Sequence, residues 1–161
     1  MGGPILPETL HAREWLLTGW SMATHRYFEE NGPPPPADSA WIAINNVANV
    51  GAALRTLGKW SLDGSPQRFD AEDWWFRLEF EAQPALPSER VLLGLDGLAT
   101  VAQVWLNGVE LLKSSNMFVT HTCNVGHVLQ SSGNTLLVRF AALDVELALR
   151  RKRPRWRAPM V

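Results

Sequence analysis

One cysteine in 161 residues leaves no partner for an internal disulfide, so the sequence is expected to occupy a reducing, cytoplasmic setting. No apolar run approaches the length of a membrane span. Residues 1–10 carry neither the basic region nor the apolar core of a signal peptide. Phosphate-cradling and dinucleotide-binding glycine motifs are both missing, and no cofactor is expected. Tyrosine is nearly absent too, at one residue, against eight tryptophans. With 46% hydrophobic residues the chain is suited to a packed core and not to disorder.

Charge is unevenly spread. Six of the fifteen basic residues stand at Arg150, Arg151, Lys152, Arg153, Arg155 and Arg157, with no acid in the last twelve positions. The preceding 149 residues hold 9 basic against 16 acidic groups, a net charge of −7. A body of that sign repels nucleic acid. Binding of nucleic acid or another partner through 150–157 therefore ranks below a solvated terminal segment.

Patterning points to an all-β sandwich of short strands. Asn31-Gly32 and four prolines, Pro33 to Pro36, mark residues 29–39 as a loop. Before it, residues 14–22 read as a strand that pairs into a later sheet. Residues 50–57 read as one short helix, with Asn49 as N-cap and Gly58 as its stop. Residues 61–72 are rich in turn formers. From Asp73 the period becomes two: Trp74, Phe76, Leu78 and Phe80 share one face, and Trp75, Arg77 and Glu79 the other. Residues 91–95 suggest a central strand, and 118–122 another. Apolar runs at 100–106 and 109–112 around Asn107-Gly108 predict a tight hairpin. Residues 131–134 read as a turn, and 136–140 alternate again.

No convincing catalytic set emerges. Gly19-Trp-Ser-Met-Ala23 is a degenerate nucleophile elbow, better read as sheet. His121, Cys123 and His127 form the one metal-like cluster but lack a fourth ligand, so no metal is expected. Glu29-Glu30 and Glu72-Asp73 are adjacent pairs, and neighbours on a strand diverge to opposite faces. Asp96, at the end of an apolar run, is the acid expected to be partly buried or to cap a turn. Among the tryptophans, Trp74 and Trp105 read as core. Trp75, on the opposite face from Trp74, is a candidate platform for a pyranose ring, while Trp41, Trp60 and Trp156 flank loops.

The order of these segments is familiar. Asp73-Trp-Trp-Phe-Arg-Leu-Glu-Phe80, Leu93-Gly-Leu-Asp96, Thr100-Val-Ala-Gln-Val-Trp-Leu-Asn-Gly108 and Ser115-Asn-Met-Phe118 resemble the N-terminal domain of family 2 glycoside hydrolases, nearest its β-mannosidase branch. Arg153-Pro-Arg-Trp-Arg157 also fits. The sequence departs from the family at Val47-Ala-Asn-Val50, where Val-Pro-Gly is common. The resemblance implies a jelly-roll, galactose-binding-like β-sandwich over 41–161, incomplete at its C-terminus, with 1–40 supplying a strand and the proline-rich loop of the same domain. It implies a non-catalytic role, supporting an active-site pocket whose two glutamates belong to a separate barrel, so the chain alone is expected to be inactive. Carbohydrate contact is expected at Trp75, Asn116 and Trp156. The alternative is a stand-alone carbohydrate-binding module. Partners would be a β-mannoside-type sugar, the remaining domains of the parent and, through exposed strand edges, a second copy of the chain.

Overall fold

The computed structural model describes residues 16–24, 41–44, 47–82 and 89–149. Among these described residues, eight strands form two antiparallel sheets. The larger takes β1 (Ser21–Thr24), β2 (Ile42–Ala43), β3 (Trp74–Phe80), β5 (Ala102–Leu106), β6 (Val109–Ser114) and β8 (Asn134–Phe140) in the spatial order β2-β1-β3-β8-β5-β6. The smaller pairs β4 (Leu92–Leu95) with β7 (His121–Asn124). The sheets, with helix α1 (Val50–Thr56), enclose one core, giving the expected all-β sandwich.

Register explains why the period-two residues meet. On the inner face of the large sheet Trp74 lies opposite Phe140, Phe76 opposite Val138 and Leu78 opposite Leu136. Across β8, those same positions face Ala102, Val104 and Leu106 of β5. Met22 on β1 extends the middle row through Phe76. The core is therefore laid down in transverse rows, each contributed by strands distant in sequence. Leu93, Leu95 and Cys123 of the small sheet, and Ala53 and Leu54 of α1, pack onto it.

The helix ends where the sequence says it should. Asn49 Oδ1 accepts from Ala52 N at 2.8 Å. At the other end Gly58, at φ +66°, lets its own N–H reach Arg55 O and that of Lys59 reach Leu54 O, a Schellman stop. The Asn107-Gly108 turn has positive φ at both positions, 51° and 81°, as a type I′ hairpin requires. Leu111 is an extra residue in β6: Val104 faces Leu112 while Trp105 faces Glu110.

Asn107 does more than turn the chain. Its Nδ2 donates to Val128 O and to Asn134 Oδ1, each at 2.9 Å, and its Oδ1 accepts from Thr135 N at 2.9 Å. Asn134, fully buried, also accepts from Gln130 N and donates to Gln130 O. Asn107→Ala is expected to cost about 2–3 kcal/mol by chemical denaturation, since it strains the left-handed position and strands buried polar groups. Asn107→Gly should restore the turn but not those bonds, keeping about half the loss.

Several expected elements shift. The first strand begins at Ser21, after Gly19 at φ +87°, and residues 16–20 are outside regular structure. The 91–95 strand is not central: it belongs to the two-stranded sheet, with Leu92 exposed. The strand expected at 118–122 starts only at His121, and Phe118 is 88% exposed. Beyond the one expected helix, there is a 3₁₀ turn (Phe69–Ala71) and a short α2 (Asp144–Ala148). No helix among the described residues is long and apolar enough to cross a membrane.

Candidate functional site

The outer face of the large sheet, turned away from the core, is where the sequence placed its sugar platform. Register sets Trp75 opposite Arg139 and Arg139 opposite Gln103, with Leu137 opposite Trp105 in the next row. Trp75 and Trp105 stack across β8 with centroids 5.6 Å apart and planes 28° apart. Trp75 is 0% exposed and Trp105 4%. A sugar-stacking platform must present a ring face to solvent, so the surface reading of Trp75 is corrected: its indole is a packing element. Trp105 is buried as expected, but on this outer face and not in the main core.

Beside the ring pair sits a polar lock. Asp73, whose side chain is 5% exposed, takes Nε and Nη2 of Arg139 on Oδ2 at 3.2 and 3.0 Å. Its Oδ1 accepts from Ala142 N at 2.7 Å. Arg139 Nη1 donates to Gln103 Oε1. The cluster ties the start of β3 to the centre of β5 and to the chain leaving β8. It was not foreseen: Asp96, the acid expected to be partly buried or to cap a turn, is exposed, and Asp73 is the buried acid among the described residues. The signal lay in the face alternation, which puts Arg139 on the same side as Trp75, but no local rule pairs residues 66 apart.

The other predicted residues do not converge on this cluster. Asn116, in the β6–β7 connection, is exposed; its Oδ1 accepts from Phe118 N at 2.9 Å, closing an Asx turn. Its own N–H reaches Ser114 Oγ at 3.3 Å, and that hydroxyl lies 3.0 Å from His121 Nε2. Trp156, the basic segment 150–157 and Glu29-Glu30 lie outside the described residues. Ser21 of the degenerate elbow opens β1, with its hydroxyl 3.4 Å from Arg77 O. Cys123 turns inward against the core, and no group of three metal-ligating side chains forms among the described residues. Glu72 is exposed while Asp73 is buried, so that carboxylate pair diverges.

Near α1, Trp60, Phe69 and Trp74 form an edge-to-face chain with centroids 5.3 and 6.1 Å apart. Trp74 Nε1 donates to Phe69 O at 2.9 Å. Trp41 carries the Arg77 guanidinium 4.3 Å above its ring. Arg68 donates to Asp70 at 3.1 Å, and that hydrogen bond holds the Asp70 carboxyl below its ordinary range.

Residues 57–160 match the model of the glycosyl hydrolase 2 galactose-binding domain-like family. A β-mannosidase B of Aspergillus terreus is 37% identical over 146 residues, 86% of this chain and 16% of the relative. A β-mannosidase B of Thermothelomyces thermophilus is 42% identical over 67 residues, 42% of this chain and 8% of the relative. The chain thus spans a small fraction of the length of both. In shape it is similar to a β-D-mannosidase of Dictyoglomus thermophilum, with a TM-score of 0.60 at 22% identity over 79% of this chain and 15% of the other. A β-glucuronidase of Faecalibacterium prausnitzii gives 0.54 at 24% identity over 85% and 22%. The jelly-roll expectation is met, and the chain belongs to the galactose-binding-like N-terminal domains of family 2 glycoside hydrolases, with β-mannosidase-like relatives.

Proposed function

We propose that this sandwich is a non-catalytic domain of a β-mannosidase-like glycoside hydrolase, and that it supports the active-site pocket in the breakdown of β-mannosides. The observation that carries the reading is the state of Asp73. Glycoside hydrolysis with retention uses two carboxyl groups about 5–5.5 Å apart, one free to attack and one to exchange protons. Asp73 is neither: both its oxygens are engaged, by Arg139 and by the Ala142 amide. Its sequence neighbour Glu72 is exposed to solvent and cannot share a site with it. On this reading the carboxyl chemistry belongs to the rest of the parent protein, and this domain contributes shape.

Two assays test the reading. The purified 161-residue chain should release no chromophore from 4-nitrophenyl β-mannoside above the blank. The same chain grafted in place of the aligned segment of the Aspergillus terreus β-mannosidase B should keep hydrolysis that deletion of the segment removes. Turnover by the isolated chain that Asp73→Asn abolishes would overturn the proposal. So would a deletion variant as active as the intact enzyme.

A further inference from the structure

The C-terminal stop of α1 opens into a groove of about 720 Å³, lined among others by Arg55, Lys59, Trp60, Ser61, Ser65 and Gln67. The groove is shallow and largely open to solvent, so a ligand there would be held on one side only. We propose that this groove binds a saccharide bearing an anionic group, a phosphate or a carboxylate. The inference does not depend on the supporting role argued above.

Charge is the first reason. The first 149 residues are net −7, so unengaged cations are scarce. Arg68, Arg77, Lys113 and Arg139 each have a carboxylate within 4 Å. Arg55, Lys59 and Arg90 are the described cations without one, and two of these three line the same groove. Arg55 also sits in the last turn of α1, where a cation favours the helix dipole. That effect needs one charge at most. Three carbonyls of the last turn are already occupied: Ala53 O, Leu54 O and Arg55 O accept from Leu57, Lys59 and Gly58 N–H. The guanidinium and the ammonium are therefore both available to an incoming anion.

Shape and aromatic character supply the second reason. Trp60 is half-buried, with its ring held edge-on to Phe69 at 5.3 Å and close to Gly51, where an added Cβ would lie 3.7 Å from Trp60 Cζ3. The indole is thus fixed before any ligand arrives, which lowers the ordering cost of binding. A rigid indole beside hydroxyl and amide side chains suits the mixed apolar and polar faces of a pyranose, and the two cations suit its acidic substituent. Gly64 closes the 61–64 turn along the rim. Its N–H reaches Ser61 O at 3.3 Å, and a Cβ there would stand 3.0 Å from Ser61 Oγ.

The test is an amide chemical-shift titration of the ¹⁵N-labelled 161-residue chain with mannose 6-phosphate, glucuronate, mannose and inorganic phosphate. Saturable shifts in residues 58–67 are expected for an acidic sugar, with a dissociation constant on the order of millimolar. Whether mannose 6-phosphate or glucuronate gives them identifies the anionic group. The double variant Arg55→Gln, Lys59→Gln should weaken binding about tenfold, as loss of charge-assisted contacts requires. Arg90→Gln should leave it unchanged. Both groove cations are exposed, and Lys59→Gln alone provides a milder variant with the same direction of effect. The proposal is overturned if neither acidic sugar gives saturable shifts at about 20 mM, if the double variant binds as well as the parent, or if mannose or inorganic phosphate alone binds equally well.

Discussion

Arg139→Met should lower the stability of the domain by about 3–5 kcal/mol, because it takes from the buried Asp73 carboxylate the guanidinium that donates twice to Oδ2. In a domain of this size that corresponds to an unfolding midpoint roughly 10 °C lower. The loss should not appear in full when both partners go. Asp73→Leu combined with Arg139→Met removes the charge that would be stranded, and is expected to recover most of the loss. Thermal and urea unfolding of the two single variants and the double variant give the coupling directly. Additive losses, or a single-variant loss under about 1 kcal/mol, would show that the Asp73–Arg139–Gln103 cluster is incidental to the fold. A Gln103 that lost its donor would add a further, smaller deficit, which Gln103→Leu in the Arg139→Met background should relieve.

The second large effect concerns Trp75. Its ring is fully buried and stacked on Trp105, so Trp75→Ala should cost about 3–5 kcal/mol through lost contact and an unfilled cavity. Trp75→Phe, which keeps an aromatic face for Trp105, should lose much less. The opposite result would identify a sugar platform: stability changed by under about 0.5 kcal/mol and affinity for mannose abolished. Urea unfolding paired with a mannose titration of the same variants decides between these outcomes.

Trp75 shows where sequence reading stops. Alternation along Trp74–Phe80 identified the strand and its inner face correctly, because one row of apolar residues must meet the core. That rule assumes the other face is wet. Here the strand is covered on both sides at its start, and β5 is buried at all five positions. A buried outer face cannot be told from an exposed one by period alone when Arg139, Gln103 and Trp105 supply its residues. The Asn107-Gly108 hairpin and the Asn49–Gly58 helix were legible because their determinants are local. Asp73 was not, since what buries it comes from β5 and the far side of β8. The strand expected at 118–122 came late for a similar reason. Asn116 closes an Asx turn onto Phe118, and β7 waits for the register that Leu93 and Leu95 impose. The groove at α1 had a compositional trace in Arg55, Lys59 and Trp60, but their convergence depends on the Schellman stop that folds residues 58–67 back beside the helix.

The placement of β8 has a consequence for synthesis on the ribosome. β3 and β5 are not neighbours; the strand that joins them runs from Asn134 to Phe140 and emerges after both. At bacterial or eukaryotic elongation rates, of about 5–20 residues per second, the interval from the end of β5 to the end of β8 lasts on the order of a few seconds. For that time two tryptophan-bearing strands stand with open edges, and Asp73 awaits the Arg139 guanidinium. Slow codons placed between β5 and β8 would lengthen that exposure.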